Sequence, residues 1–340
     1  MVRDRVFAES RYNLSMPERH DLVSPGSRDA LVALLLVYAA ARVLQVFPTH
    51  VPTLLIVVLD VLPPAIFALI HGRRVYGTRG IAVFTVLCLA VGSFFESLSL
   101  RAGFPFGHYY FTGVMGPKVL ELPILLALAY VGVGYLAWVV ASLIVGAPAN
   151  SWKGLIVLPW IAATVMSAWD LAMDQVWANI DRAWVWQRGG GYFGVPFSNF
   201  FGWLLTTWVV YQAFALWLRG RQTTAPTQEW NRLAVLMYGI TATGNLLLAI
   251  PSAVPATYPA MITDPAGRHW LTSDIVCSCL LVSILVMGPF ALIAWVRAGA
   301  ATRGAGKPER PSSLYMRNAW TPDELSNSPL DCKHAAGTIG

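Results

Sequence analysis

The stretch LPILLALAYVGVGYLAWVVASLIV, from Leu122 to Val145, contains no charged side chain. About 20 consecutive apolar residues in a helix are enough to cross the ~30 Å hydrocarbon core of a bilayer. A β-barrel, the other structure that spans membranes, would instead show short segments of alternating hydrophobicity. The stretch therefore predicts a transmembrane helix.

Similar apolar runs recur through most of the chain of 340 residues, which is 56% hydrophobic and only 12% charged. Soluble domains usually carry about 25% charged residues. The sequence thus predicts an all-α fold, a polytopic transmembrane helical bundle over residues 29–298. Its eight predicted spans are residues 29–47, 53–71, 80–100, 119–145, 154–178, 197–218, 232–250 and 272–297.

Two tails flank the predicted bundle. Residues 1–28 are polar and basic and lack the apolar core of a removable signal peptide. Residues 299–340 are rich in Gly, Pro, Ser and charge, a composition typical of disordered chain.

The distribution of basic residues predicts the orientation, since Lys and Arg are enriched in cytoplasmic segments. With eight spans and a cytoplasmic N-terminus, the outer segments hold only five basic residues and Arg42 lies within a span. We therefore expect a multi-pass protein of the cell membrane with both termini cytoplasmic. The five are Arg101, Lys118, Arg182, Arg188 and Arg268.

Several classes of function lack their signals in this sequence. No basic stripe interleaved with aromatics is present, so nucleic acid is not an expected partner despite the net charge of +6. GGGYFG, from Gly189 to Gly194, matches the GxGxxG pattern but follows no strand of a βαβ unit, so a dinucleotide site is not expected. The six histidines form no HxxH or HxxxH pair, which argues against a di-iron enzyme.

Ionisable side chains inside the spans are functional candidates, because charge within a bilayer is costly. They are Arg42, Asp60, Glu96, Asp170 and Asp174. Arg42 and Asp60 occupy the outer thirds of adjacent antiparallel spans. The simplest interpretation is that these two side chains form an ion pair.

Glu96, Asp170, Asp174 and Asn199 are predicted at one depth, near the outer ends of three spans. Asp170 and Asp174 share a helix face because residues four apart are stacked. Each polar group alone could simply bond a neighbouring helix, but four at one level favour a site. Asp170 and Asp174 also form a DxxxD motif, which could hold Mg²⁺ on a diphosphate. The second acidic cluster expected of a membrane prenyltransferase is, however, missing from the sequence.

Two aromatic, glycine-rich outer loops neighbour these acids: RAGFPFGHYYFTGVMGPK, from Arg101 to Lys118, and DRAWVWQRGGGYFGVPF, from Asp181 to Phe197. Their Trp and Tyr could line the membrane interface or stabilise a cation. Apolar surroundings disfavour the charged form of a carboxyl, and a general acid must be protonated. We therefore expect protonation of an alkene: Glu96 or Asp174 as the donor, and the other carboxylate with Asn199 orienting water.

Two blocks of sequence resemble the membrane-bound carotenoid hydratase family, whose members are also labelled carotenoid biosynthesis proteins. The first is Glu96 followed by GFPFGHYYF, then Gly116–Pro117 and Pro123. The second is WDLAMDQVW, then WVW at 184–186, then GYFGVPFSNFFGW at 191–203. The resemblance covers roughly residues 80–295. The family's aspartate followed by proline corresponds to Asp174–Gln175, which makes Asp174 the matched acid.

The resemblance implies hydration of the terminal 1,2-double bond of an acyclic carotene end to a tertiary alcohol. Relatives act on γ-carotene, lycopene or bacterioruberin precursors, and no organic cofactor or metal is implied. The expected partners are the carotene taken from the bilayer, water and membrane lipid, with possible association with other carotenoid enzymes. Residues expected to contact the substrate are Phe104, Phe106, Tyr109, Tyr110, Trp177, Trp184, Trp186 and Trp203.

Two other functions remain open from the sequence. An integral-membrane lycopene cyclase begins with the same protonation but closes a ring, and the extracted pigment would distinguish the two. A non-enzymatic carotenoid-binding, transport or scaffold protein would leave the mass of its carotenoid unchanged. A transporter would more naturally show broken helices in paired halves, and no such symmetry is evident in the sequence.

Overall fold

The computed structural model describes residues 25–254 and 257–304. The predicted N-terminal tail lies outside these residues except where the first helix begins, and most of the predicted C-terminal tail lies outside them too. All side-chain contacts described below belong to the compact unit that ends at Thr302.

The described chain is built from helices, joined by loops with short two-stranded ladders. The helices are α1 (Pro25–Leu44), α2 (Thr53–Ala102), α3 (Ile124–Val145), α4 (Leu158–Asn179), α5 (Phe197–Leu218), α6 (Gln228–Leu246), α7 (Ala249–Ala253), α8 (Thr272–Val282) and α9 (Gly288–Gly304). Single π-helical turns precede α4 (Lys153–Val157) and join α8 to α9 (Ser283–Met287). The strands are β1 (Tyr109–Phe111), β2 (Lys118–Val119), β3 (Leu122–Pro123), β4 (Trp184–Trp186), β5 (Met261–Thr263) and β6 (His269–Leu271).

The long helix α2 consists of two arms that fold back on each other. Its 50 residues would measure ~75 Å if straight, far more than the ~30 Å core of a bilayer. Gly77 interrupts the helix with φ 70° and ψ 173°, a conformation that glycine adopts without a Cβ penalty. A Cβ at Gly72 would lie 2.5 Å from the Ile81 side chain, so the arms are in contact beside the turn. The reversal brings Asp60 and Glu96 to the same end of the bundle.

The predicted fold class, an all-α polytopic transmembrane bundle, is confirmed. Within the described part of the chain, six helical segments are long and apolar enough to cross a membrane. One of them is α2, which counts as two spans because of its reversal. Helix α1 is not among the six, so the total of eight spans stays a prediction.

Helix α3, which contains most of the opening stretch, lies at the centre of the bundle. In its most apolar window 83% of the residues are buried, the largest share among the six segments. A Cβ at Gly132 would come within 2.7 Å of the Ala65 backbone, so the first arm of α2 packs directly on α3. Small residues permit such close approach of helices in membranes.

The two aromatic loops meet at one end of the bundle. Strand β1 pairs antiparallel with β4, so that Tyr109 lies opposite Trp186 and Phe111 opposite Trp184. Side chains alternate between the two faces of a strand, and Tyr109 and Phe111 are buried while Tyr110 is exposed. This ladder therefore presents aromatic rings from both loops to the helices below.

Candidate active site

Four buried polar side chains converge beneath the β1–β4 ladder. Glu96 comes from the second arm of α2, Asp170 and Asp174 from α4, and Asn199 from the first turn of α5. Their exposed fractions are 4%, 2%, 1% and 2% respectively. Buried carboxyls are costly unless they are hydrogen-bonded, so their partners indicate how the site is maintained.

Glu96 accepts hydrogen bonds from two tyrosine hydroxyls. Tyr109 in β1 donates to Oε2, and Tyr130 in α3 donates to Oε1 over 2.7 Å. Burial and the adjacent carboxyl raise the pKa of the Tyr109 phenol well above its usual range. Tyr109 therefore remains protonated and acts as a donor to Glu96.

Asp174 accepts hydrogen bonds on both of its oxygens. The indole N–H of Trp184 donates to Oδ1 over 2.6 Å, and that of Trp186 donates to the same oxygen over 3.4 Å. The amide of Asn199 donates to Oδ2 over 2.6 Å. An indole can only donate, so these hydrogen bonds favour the carboxylate form of Asp174 and oppose the effect of its burial.

Asp170 has fewer donors than the other two carboxyls. Its Oδ2 accepts from Asn199 over 2.8 Å, and the same amide nitrogen also binds Asp174. Two carboxyls that share one partner cannot both ionise easily. Because Asp174 has three donors and Asp170 has one, Asp170 is the member of the pair that more readily keeps its proton.

The carboxyls line one cavity of about 280 Å³, including the part open to its surroundings, which we call the site cavity. Its walls are mostly aromatic, and among the described residues the partners found for the three carboxyls are all neutral donors. The lining residues are Glu96, Phe106, Tyr109, Phe111, Leu126, Asp170, Asp174, Trp184, Trp186, Asn199 and Trp203.

The loop segment that carries Phe106 is fastened to two helices. The Phe106 N–H donates to Ser99 Oγ of α2, and its carbonyl accepts from Ser198 Oγ of α5. A Cβ at Gly202 would lie 2.6 Å from the Phe106 ring, so the ring rests directly on the α5 backbone. The absence of a side chain at Gly202 therefore permits this contact.

Most of the aromatic residues expected to contact a substrate line the site cavity: Phe106, Tyr109, Trp184, Trp186 and Trp203. Trp177 stacks on Trp184 at 5.9 Å between ring centroids and lines a neighbouring cavity instead. Phe104 and Tyr110 are 55% and 50% exposed and do not line the site cavity. For Tyr110 the cause is strand alternation, which turns it away from the face that carries Tyr109.

Tyr130 belongs to the site but was not predicted from the sequence. It lies within the apolar stretch of α3, bonds Glu96 and stacks on Trp203 at 4.7 Å between ring centroids. The available signal was a tyrosine in a span without charges, since a buried hydroxyl needs a partner. That signal does not reveal which partner it finds.

The ion pair expected between Arg42 and Asp60 is present. Arg42 Nη1 donates to Asp60 Oδ2 over 2.9 Å, and both residues are buried. Arg42 Nη2 also donates to Asn245 Oδ1 of α6 over 2.5 Å, and Asn245 donates to Ser283 Oγ over 2.9 Å. This cluster therefore connects α1, α2, α6 and the π-helical turn after α8.

The fold and the site define a class: a helical membrane protein with a cluster of carboxyls in an aromatic-walled cavity. The sequence model of the carotenoid biosynthesis proteins matches residues 52–263, well over half of the chain. The protein therefore belongs to the carotenoid biosynthesis protein family. The match begins and ends earlier than the region 80–295 expected from the motifs. Comparisons with curated proteins and with solved structures give no significant match.

Proposed function

We propose that the protein hydrates the terminal 1,2-double bond of an acyclic carotene end and gives a tertiary alcohol. One observation carries this proposal: three buried carboxyls with neutral partners share a small cavity walled by aromatic rings. Acids in such surroundings can protonate an alkene, and the rings and carboxylates can stabilise the resulting cation. Membership of a carotenoid biosynthesis family supports a hydrocarbon substrate.

Asp170 is proposed as the proton donor, in place of the Glu96 or Asp174 favoured by the sequence. The reason is the number of donors, since Asp174 accepts three hydrogen bonds, Glu96 two and Asp170 one. Hydrogen bonds to a carboxylate favour its charged form. Asp170 thus gains least from ionising and keeps a proton for transfer.

In the proposed reaction, the carboxylic acid of Asp170 protonates the less substituted carbon of the double bond. The alkene π bond breaks, a C–H bond forms, and a tertiary carbocation remains beside the Asp170 carboxylate. A water oxygen then bonds to the cationic carbon and releases one proton to Asp170. The product is the alcohol, and the acid is restored without a net gain or loss of protons.

The surrounding groups are proposed to stabilise the cation. Asp174, which accepts three hydrogen bonds, supplies negative charge without competing for the proton. Glu96 supplies a second carboxyl, oriented by Tyr109 and Tyr130. The faces of the aromatic rings add a cation–π contribution, and Asn199 fixes the spacing of the two aspartates.

The carotene is proposed to reach the site laterally from the bilayer. A cleft of about 230 Å³ lies between the second arm of α2 and α3, and Glu96, Leu126 and Tyr130 belong to its walls. Gly92 and Ser93, whose side chains are small, line this cleft. Leu89, another of its lining residues, is 36% exposed. Glu96 thus lies between this lateral cleft and the site cavity.

The pigment formed in a host that accumulates lycopene tests the proposal. We expect the wild-type chain to yield a carotenoid heavier by one water, with ¹⁸O in the new hydroxyl when the cells grow in H₂¹⁸O. A ring-containing product of unchanged mass would instead establish a cyclase. Bound lycopene recovered unchanged from purified protein would establish a carotenoid-binding protein.

We further propose that the protein is a multi-pass protein of the cell membrane with both termini cytoplasmic. The basis is the scarcity of basic residues in the segments at the site end of the bundle. Labelling of single cysteines introduced at Leu120 and Arg221 by an impermeant reagent on intact cells tests this. Reaction at position 120 and not at 221 is expected, and the reverse would overturn the orientation.

A further inference from the structure

Two further cavities lie in series with the site cavity: the first adjoins it, and the second adjoins the first. The first, the aromatic chamber, has about 620 Å³ of empty space, including the part open to its surroundings, and shares Asp170, Trp184, Trp203 and Leu126 with the site cavity. The second, the vestibule, encloses about 700 Å³ including the part open to its surroundings. The chamber and the vestibule share Arg42, Asp60, Met173, Trp177 and Asn245.

The vestibule differs from the chamber in chemistry. Gln45 and Asp181 line the vestibule and not the chamber, in addition to the polar residues that the two cavities share. The residues that line only the chamber are aromatic or apolar, such as Trp169 and Val133. The partly exposed Asp181 lies just after α4, outside the membrane-spanning helices. The vestibule therefore connects a polar, partly exposed surface with the interior of the bundle.

Two polar atoms at the junction of vestibule and chamber have no protein partner. Arg42 Nε and Asp60 Oδ1 are buried without a hydrogen bond among the described residues, a donor and an acceptor in the same ion pair. Buried polar groups are normally satisfied by protein or by ordered water. Water occupies about 30 Å³ in the liquid and needs two to four polar partners, and the vestibule provides both the space and the partners.

We propose that the vestibule supplies the water consumed in the reaction, through the aromatic chamber to Asp170. This inference rests on the proposed hydration. Asp170 lines both the chamber and the site cavity, so water arriving through the chamber meets the carboxyl that receives its proton. The carotene arrives through the lateral cleft beside Glu96, and the two reactants therefore take separate routes.

The aromatic and apolar residues between the two polar ends of the chamber limit how much water reaches the cation. Hydration needs one water per turnover, whereas bulk water at the acid would favour its ionised form. If the supply is blocked, the cation has another outcome: it loses a neighbouring proton to the Asp170 carboxylate. That step restores the acid and yields a hydrocarbon isomer of unchanged mass.

A tryptophan placed in the vestibule tests the proposal. Ile56 lines the vestibule, while the preceding residue, Leu55, is 46% exposed on the same helix. We compare Ile56→Trp with Leu55→Trp, both purified and supplied with lycopene in H₂¹⁸O. Ile56→Trp should form alcohol about tenfold more slowly, a change of ~1.4 kcal/mol in barrier, and a larger share of the consumed lycopene should appear as hydrocarbon isomer.

Leu248→Trp, in the turn before α7, and its control Ile250→Trp, in α7, repeat the test elsewhere in the chain in case Ile56→Trp does not fold. Leu248 lines the vestibule and Ile250 is 50% exposed. Alcohol formation at the wild-type rate in the vestibule variants would overturn the proposal. Loss of lycopene binding, with alcohol and isomer falling together, would also overturn it, because the cavity would then hold the carotene. Failure of the proposed function is separate, since the wild type would then form no alcohol.

Discussion

Two clusters of buried charged residues lie at the same end of this bundle, and they are balanced differently. Asp60 is paired with Arg42, and the pair connects helices through Asn245 and Ser283. Glu96, Asp170 and Asp174 share a cavity, and the partners found for them among the described residues are phenols, indoles and one amide. The charge of Asp60 is neutralised by Arg42 within the first cluster. The acids of the second cluster have no such counter-charge among the described residues, and a cationic intermediate could provide it.

The difference shows how polar residues that stabilise a membrane protein can be distinguished from polar residues that serve its reaction. An ion pair between helices lowers the cost of its own burial. Three acids without a cationic partner carry a cost that the fold alone does not explain, and such residues are functional candidates by default. Each prediction below tests one side of this contrast, from the largest expected effect to the smallest.

Asp170→Asn should abolish alcohol formation and leave the fold intact. Removing a general acid typically lowers the rate by about 10²–10⁴-fold, while the amide keeps the shape and removes a carboxyl that gains little from its surroundings. Alcohol per amount of folded protein and the unfolding midpoint in detergent are measured together. Asp274→Asn, the same change at an exposed residue in the first turn of α8, is the control. Wild-type activity in Asp170→Asn would remove it from the mechanism.

Asp60→Leu should chiefly lower stability. Removing one partner leaves Arg42 buried without its counter-charge, and breaking a buried pair costs about 3–5 kcal/mol. The double variant Arg42→Met/Asp60→Leu should recover much of this loss, because neither charge remains. Thermal unfolding followed by tryptophan fluorescence measures both. A double variant no more stable than Asp60→Leu would show that the pair is not the source of the effect.

Trp184→Phe should slow the reaction more than Trp186→Phe. Both changes keep an aromatic ring and remove an indole N–H from Asp174, but the bonds measure 2.6 and 3.4 Å. A hydrogen bond to a charged group contributes about 1.5–3 kcal/mol, so the Trp184 variant should lose roughly tenfold or more in kcat. Equal rates in the two variants would contradict the assigned role of the Asp174 carboxylate.

Tyr109→Phe should lower the rate several-fold, whereas Tyr110→Phe should not. The adjacent tyrosines occupy opposite faces of β1, and Tyr109 bonds Glu96 while Tyr110 is exposed. Loss of one donor to a carboxyl costs about 1 kcal/mol or more. Steady-state rates on lycopene measure this. The idea that Glu96 is oriented by the ladder fails if both variants behave alike.

Asp181→Asn should remove a small pH dependence of stability. Burial, with a further contribution from the nearby Asp60 charge, raises the pKa of Asp181 to about 7 from its usual 3.8. The folded protein thus retains this proton to higher pH than the unfolded chain, and stability falls between about pH 4 and 7. The variant should be more stable at pH 8 by about 1 kcal/mol, because partial exposure screens the effect, and unchanged at pH 4. Parallel unfolding curves at both pH values would rule out this contribution.

Much of the fold could be predicted from the sequence because hydropathy is a local property. Apolar runs such as that from Leu122 to Val145 must form helices in lipid, since every backbone polar group needs a partner within the segment. The prediction of separate spans at 53–71 and 80–100 implied that the chain reverses between them, and α2 does so at Gly77. The start of α3 was less predictable, because residues 118–123 form a short ladder instead of helix.

The candidate site was predictable in part, for the same reason. Glu96, Asp170 and Asp174 stand out because charge in a span is rare, and the four-residue spacing on α4 places the two aspartates on one face. Tyr130 was missed, and Phe104 and Tyr110 were expected at a cavity that they do not line. Composition groups the loop aromatics together, whereas the alternation of β1 and its pairing with β4 separate Tyr109 from Tyr110.

The sequence by itself determined the class of protein, the choice of its buried acids as candidate site residues and its resemblance to a carotenoid family. The tertiary structure decided which donors each carboxyl receives, that Asn245 and Ser283 extend the Arg42–Asp60 pair, and that the chamber adjoins both the site cavity and the vestibule. The physical reason is that hydropathy specifies where a helix lies along the membrane normal. How each helix is rotated against its neighbours depends on packing between residues far apart in the chain, as where Gly132 meets Ala65 and Gly202 meets Phe106.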